Sequence, residues 1–249
     1  MTLPRILIIS PFRNEEHSVL HYLMALHDLD YPHELIDVYW LENDSSDNTL
    51  EILRKHEHNY DFNSLTLNPV MILGPVKKRP PGEYWKDLTY GSPRIDAWMV
   101  IWNDLFFPLI RESDHDYVLM WYSDAVAPPN VIQEYLKVMD EHPAGWVGGS
   151  LPRREPRLPH ITSHVESPWP MDIVNVDKPT RCQLTGHVWL MPRAEVADCT
   201  MYYSGPPEIH LSIIECLEKK GLYVYYQPTV YLKHVSTDGK IHHPEPPWK

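Results

Sequence analysis

Residues 116–130 read DYVLMWYSDAVAPPN, and the break inside this stretch sets the fold class. The apolar run from Tyr117 to Tyr122 is too short for a helix and stops at Ser123-Asp124. The chain then turns through Pro128-Pro129 into an amphipathic segment. This is the pattern of a buried strand that delivers one carboxylate to its C-terminal end, where open α/β proteins place their ligand chemistry.

Working back toward the N-terminus, residues 5–10 (RILIIS) form a continuous apolar run, too short for a helix and rich in β-branched residues, read as a buried parallel strand that Pro11 ends. Residues 16–29 place Leu20, Leu23, Met24 and His27 on one helical face, with Glu15-Glu16 at the favourable N-terminal end. Tyr31-Pro32 stops that helix. A second strand over 36–41 runs into the polar loop Glu42-Asn43-Asp44-Ser45-Ser46-Asp47, and Leu50, Ile52 and Leu53 mark the next helix. Such a loop can accept from a ribose and a base, or simply cap the helix through Ser46 or Asp47. Strand, helix, strand, loop and helix make a βαβ unit, whose right-handed crossover puts both strand ends at one edge. Val70 to Leu73 reads as a third strand, residues 74–94 as a long loop, and 95–110 as a buried helix. Arg94 at its start opposes the helix dipole, so it either meets a phosphate or carboxylate or stands as a surface arginine.

Working forward, Val131 to Met139 carries a helical apolar stripe, and Trp146-Val147 is a short strand closed by Gly148-Gly149. Residues 151–179 are Pro-rich and irregular, as in a loop that covers substrate. His160 and His164 lie there outside any convincing helix, which argues against a two-histidine zinc site. Val188 to Met191 is another strand. Ser204-Gly205-Pro206-Pro207 announces a helix with Ile209, Ile213, Cys216 and Leu217 on its buried face and Glu208 in its first turn. Gly221 ends it, Tyr223 to Tyr226 is a strand, and the chain from Tyr231 leads to His234. That histidine matters only if the fold returns it to Asp124.

The 249 residues carry a formal net charge of -12, which disfavours nucleic acid as a partner because phosphate contacts need clustered Lys and Arg. Cys182, Cys199 and Cys216 are odd in number and show no CxxC spacing, so free thiols in a reducing compartment are expected. No leader pattern opens the sequence and no apolar run is long enough to span a bilayer, so the reading is a soluble, cytoplasmic protein. Phosphate-cradling GxxxxGK[ST] and GxGxxG motifs do not occur.

With those residues in hand, the order resembles that of the GT-A glycosyltransferases. PFRNEE is similar to their opening Pro-x-x-Asn-Glu motif, LENDSSDNT to their nucleoside loop, and DYVLMWYSD to the strand ending in Asp-x-Asp. HYLMALHDLDYP followed by DNTLEIL resembles the collagen-type galactosyltransferases in particular and family 2-like transferases more loosely. The resemblance implies an α/β GT-A fold, a mostly parallel central sheet flanked by helices. It implies one domain over 1–249, with a nucleotide-sugar half at 1–127 and an acceptor half at 128–249. It implies transfer from a UDP- or GDP-sugar to an acceptor hydroxyl with inversion, helped by a divalent cation, Mn²⁺ or Mg²⁺. Pro11, Arg13, Glu15, Glu42, Asp44, Arg94, Ser123 and Asp124 would hold the donor, Asp124 and His234 the metal, and Glu208 would act as catalytic base. The sequence departs from the pattern at Tyr122, which stands where the first metal-motif Asp is expected, and at Glu42 and Asn43 in the nucleoside loop. An inactive nucleotide-sugar or glycan-binding module on the same fold is the alternative. A nucleotidyltransferase is disfavoured because PFRNEE lacks glycine.

Overall fold

The structure is a computed structural model that describes residues 2–72, 93–150, 162–164, 177–202 and 210–242. The elements are, in chain order, β1 (Ile6–Phe12), α1 (Val19–His27), β2 (Ile36–Asn43), α2 (Thr49–His56), β3 (Ser64–Val70), α3 (Pro93–Val100) and a π-helical stretch (Ile101–Phe106). Next come α4 (Phe107–Glu112), β4 (Tyr117–Trp121), β5 (Ala125–Val126), α5 (Val131–Glu141), β6 (Ala144–Ser150), β7 (Thr162–His164), β8 (Thr180–Leu184) and β9 (Val188–Pro192). The last are α6 (Arg193–Val196), α7 (Leu211–Lys219), β10 (Tyr223–Tyr231), β11 (Lys233–Val235) and β12 (Ile241–His242).

Nine strands form one sheet in the order β3-β2-β1-β4-β9-β6-β10-β8-β7, and β12-β11-β5 form a small second sheet. β3, β2, β1 and β4 run parallel, so their C-terminal ends share an edge. β9 is antiparallel between β4 and β6, while β10 is parallel to β6. Both faces of the main sheet are covered. One apolar cluster joins Ile6, Ile8, Tyr22, Leu26, Trp40 and Trp121, and the other joins Leu7, Ile9, Trp102, Phe106, Met120 and Trp189. Alternate residues of β1 supply opposite clusters, as the period of two in a strand requires.

Several boundaries differ from the sequence reading. β1 continues through Pro11 to Phe12, so Pro11 does not end it. The β1–β4 ladder stops at Ile9↔Met120, and a residue without N–H is tolerated where one side is unpaired. α1 buries Val19, Tyr22, Leu23, Ala25 and Leu26, whereas Leu20 and Met24 are exposed, so the chosen helical face was displaced by about one position. Glu15 and Glu16 lie before the helix, and no acidic residue sits in its first turn. β3 lies at Ser64–Val70, ahead of the expected 70–73, because it pairs in register with β2 from Asp37↔Ser64 to Asn43↔Val70. The 95–110 helix begins at Pro93 and is π-helical in its middle. β6 runs through Gly148 and Gly149 instead of ending there. A Cβ on Gly148 would stand 2.1 Å from Thr185 Oγ1, and one on Gly149 2.5 Å from the Val230 carbonyl oxygen, so these glycines allow neighbouring chain to approach closely.

The expectation of free thiols is also corrected: Cys199 and Cys216 are joined in a disulfide, and Cys182 is buried outside that bridge. The odd count concealed a single pair, Cys199 just after α6 and Cys216 in α7, 17 positions apart in sequence. Among the described residues no helix is long and apolar enough to cross a membrane.

At the sheet's other edge, Asp37 binds four partners: Arg5 Nη2 at 2.9 Å, His115 Nε2 at 2.6 Å, Asn63 Nδ2 at 2.7 Å and Ser64 Oγ at 2.5 Å. Burial pushes its pKa up, but the hydrogen bonds from Ser64, Asn63 and His115 outweigh this and hold it below the usual value. A carboxyl with a depressed folded pKa stabilises the fold above its unfolded pKa of about 3.9, and that stabilisation is lost as pH falls through the folded value. Urea unfolding measured from pH 7 to pH 3 should therefore show a shallower acid decline in Asp37→Asn than in the wild type.

Candidate functional site

The parallel edge brings together two loops and one strand end. After β1, Asn14 adopts φ 55°, and after β2, Asp44 adopts φ 52°, left-handed conformations that Asn and Asp tolerate better than most residues. The two loops are laced together. The Asn14 amide donates to Ser45 Oγ at 2.9 Å, the Ser46 amide to Asn14 Oδ1 at 2.7 Å, and the Glu15 amide to Thr49 Oγ1 at 2.7 Å. The N-cap of α2 is Asn48, which makes no side-chain cap hydrogen bond; Asp47, one position earlier, accepts from the Thr49 amide at 3.0 Å.

The expected donor-binding residues fall into two groups here. Glu42 is buried and accepts from the Ser45 amide at 2.8 Å, and Glu15 accepts from Ser18 Oγ at 2.6 Å, so both carboxylates brace the loops. Asp44 differs: its Oδ2 is buried and has no hydrogen-bond partner among the described residues. Arg13 lies in its field. Burial lowers the Arg13 pKa more than Asp44 and Glu42 raise it. Pro11 is buried in β1 beside Leu41, and Ser123 is buried next to Asp124. Arg94 is in the first turn of α3, but its side chain lies outside the described residues.

Beyond β4 the chain makes a tight turn closed by the Ala125 amide on the Tyr122 carbonyl at 3.1 Å and by Trp121 Nε1 on the Ala125 carbonyl at 2.8 Å. That turn holds Asp124. Antiparallel pairing of β5 with β11 sets His234 opposite Ala125, and the Val235 amide donates to the Asp124 carbonyl at 2.8 Å. His234, buried, thus places Nε2 3.2 Å from Asp124 Oδ2. The two expected metal ligands, 110 positions apart in sequence, are thus brought together beside the small sheet.

His187 was missed by the sequence reading. It precedes β9, its carbonyl accepts from the Tyr122 amide at 2.9 Å, and its Nδ1 lies 3.3 Å from Asp124 Oδ1. Its only trace in the sequence is Thr185-Gly186-His187 before an apolar run, a pattern with no chemical specificity. Burial raises the Asp124 pKa, yet the charge and hydrogen bond of His187, then those of His234, hold the carboxyl well below the usual range. Its side chain is 14% exposed, so these interactions are little screened by solvent.

Tyr122, half-buried, lies with its hydroxyl 3.2 Å from Nε2 of His210, the residue capping α7. Rings of Trp98, Trp102, Trp146 and Trp189 surround His210 with centroids 5.1–6.0 Å away. Asn103, from the π-helical stretch, binds both backbone groups of Met201 at 2.9 Å. Glu208 itself lies outside the described residues, as do His160 and the 74–92 loop, so its expected first-turn placement falls outside them too; α7 is described from Leu211.

Asp124 and His234 offer a carboxylate oxygen and an imidazole nitrogen at one point, a donor set that suits a divalent first-row cation. Among the described residues no group of three His, Cys, Asp or Glu side chains stands ready-made to hold a metal.

Comparison with known proteins bears on the fold. S. aureus TarS residues 1–349 in complex with UDP-GlcNAc superposes with a TM-score of 0.54 at 15% identity, over 90% of this chain and 58% of that one. The mannosyltransferase PcManGT from Pyrobaculum calidifontis, in complex with GDP-Man and Mn²⁺, gives 0.56 at 14% identity, over 92% and 56%. At such identities the likeness is one of fold, and the fold is that of the GT-A glycosyltransferases. The chain spans little more than half the length of these structures. A curated relative, the mannan polymerase II complex anp1 subunit of Schizosaccharomyces pombe, is 42% identical over 52 residues, 21% of this chain and 12% of that protein. The Anp1 family model matches residues 2–141, from β1 through α5 and including both laced loops and Asp124, and the chain therefore belongs to the Anp1 family.

Proposed function

We propose that this chain transfers a sugar from a nucleoside diphosphate sugar to an acceptor hydroxyl, with inversion at the anomeric carbon. The observation that carries the reading is the meeting of Asp124 and His234 at the same sheet edge as the laced loops after β1 and β2. Residues 1–127 hold the donor and 128–249 the acceptor. Pro11, Arg13, Glu15, Glu42 and Asp44 enclose base and ribose, the open Oδ2 of Asp44 being the natural acceptor for a donor hydroxyl. Asp124 and His234 hold a divalent cation, Mn²⁺ or Mg²⁺, with Ser123 and Arg94 beside the diphosphate. Such an ion, when bound, stabilises the negative charge of the departing diphosphate as a Lewis acid. Glu208 takes the proton from the acceptor hydroxyl as its oxygen bonds to the anomeric carbon and the bond to the diphosphate breaks. It lies two positions before His210, whose ring meets Tyr122. The curated relative's name adds a complex, which makes a protein partner part of the proposal. The Cys199–Cys216 bridge favours an oxidising compartment over the cytoplasm for this activity.

A donor screen by thermal unfolding tests the reading. One UDP- or GDP-sugar at about 100 times its Kd should add about 2.7 kcal/mol, a rise of about 5–10 °C for a chain of this size, greater with Mn²⁺ present. Release of nucleoside diphosphate should accompany it. No shift with any donor would sink the proposal. A second reading, a binding subunit without turnover, is favoured by Tyr122 in place of a metal-motif carboxylate, and donor stabilisation without nucleoside diphosphate release would select it.

A further inference from the structure

We propose that a cavity at the sheet's other edge, between the starts of β2 and β3 and the end of α4, is a saccharide site that holds one sugar ring of a glycan. It lies at the N-terminal ends of the parallel strands, and at a strand's rise per residue roughly 23 Å separate Asp37 in its wall from Asp44 beyond β2. The cavity is therefore distinct from the candidate site and stands whether or not the chain transfers sugar.

The cavity holds about 300 Å³, the small end of the range for ligand sites. Its wall is rich in hydroxyls, with Tyr39, Ser64, Thr66 and Ser113 beside Leu109 and His115. The hydrogen bonds these groups make within the protein decide what each still offers. Ser64 Oγ donates to Asp37 Oδ1 at 2.5 Å and Ser113 Oγ to the Ile110 carbonyl at 3.0 Å, so both present lone pairs to a ligand. Asn68 Nδ2 donates to the Tyr39 hydroxyl, whose own proton is left for a ligand. The His115 side chain is 6% exposed; its Nε2 lies 2.6 Å from Asp37 Oδ2, and its Nδ1 is buried with no hydrogen-bond partner among the described residues. In the neutral imidazole Nε2 donates to Asp37, so Nδ1 is one more acceptor. A buried acceptor left without a donor is costly, and folded proteins rarely keep one.

A sugar meets this mixed set, because each of its hydroxyls both donates and accepts. Ionised phosphate or carboxylate, which only accepts, would face the lone pairs of Ser64, Ser113 and His115. A cation finds no open carboxylate, since Asp37 Oδ1 already accepts from Asn63 and Ser64, and Oδ2 from Arg5 and His115. The apolar face of a sugar ring can rest on Leu109 and on the ring of Tyr39, which Phe106 supports edge-on at 6.4 Å.

Saturation-transfer NMR on the full chain, without nucleotide or metal, tests this with glucose, galactose, mannose, N-acetylglucosamine and inorganic phosphate as probes. At least one sugar should bind with a millimolar Kd, phosphate should not compete with it, and added UDP or GDP should leave its signals unchanged. Tyr39→Phe and Ser113→Ala, each removing one hydroxyl, should weaken sugar binding about 3- to 10-fold. Thr66→Trp, at an exposed position of an edge strand, should fill the cavity and abolish sugar binding, with circular dichroism confirming the fold of every variant. No signal from any of these sugars, or undiminished affinity in Tyr39→Phe and Ser113→Ala, would overturn the proposal. Displacement of the sugar by UDP or GDP would move it to the donor edge and overturn the proposal as well, and displacement by phosphate would overturn the neutral class of ligand. Sugar binding that persists while no nucleotide sugar shifts the melting temperature would uphold the cavity and sink the transfer reading alone.

Discussion

Asp124→Asn should lower sugar transfer by at least about 1,000-fold, the kinetic equivalent of roughly 4 kcal/mol of transition-state stabilisation. The side chain lies between two imidazoles at 3.3 and 3.2 Å, and its charge is what both a cation and the two rings meet. An amide keeps the shape and one acceptor but loses that charge. The fold should survive, since Trp121, Ala125 and the β5–β11 ladder hold the turn through backbone contacts. Steady-state transfer assays and Mn²⁺ titration on the same preparation check this. Transfer within about 10-fold of wild type, where one general acid–base group alone is worth more, would remove Asp124 from the chemistry.

Glu208→Gln should lower turnover by about 10²- to 10⁴-fold, the range for loss of a general base, with donor binding unchanged. The separation of the two effects is the point of the measurement. Thermal shift with the donor reads binding, and single-turnover transfer reads chemistry. Near wild-type turnover would transfer the role of base elsewhere, and retention of anomeric configuration in the product would exclude the inverting scheme altogether.

How much of this was legible before the fold was known follows from the physics of each element. β1, β2 and β4 are short, continuous apolar runs, and burial on both faces leaves such a run no other role. Their polar loops therefore had to lie at one edge. α1 was harder because its apolar residues surround more than half the helix: Leu20 and Met24 belong to the pattern yet are exposed, while Tyr22 is buried and bonded through its hydroxyl to Ser10 at 2.7 Å. Periodicity finds such a helix but leaves its rotation open. β3 alternates weakly, with burial shared among half-exposed residues, so only its ladder with β2 locates it.

Asp124 was legible because a strand that stops at a lone carboxylate is a local pattern. Pairing Asp124 with His234 drew on resemblance, and its physical basis is the short β5–β11 ladder, formed far apart in sequence. His187 and His210 were invisible, since each owes its place to an antiparallel register or a ring contact that no spacing encodes. The disulfide was hidden for the same reason. Sequence alone determined the parallel α/β frame and the edge where polar loops gather, because hydrophobic periodicity and turn chemistry act over a few residues. Tertiary structure decided which distant side chains face Asp124, because strand register is set by whole-sheet packing, and a shift of one residue would turn His187 or His234 to the opposite face.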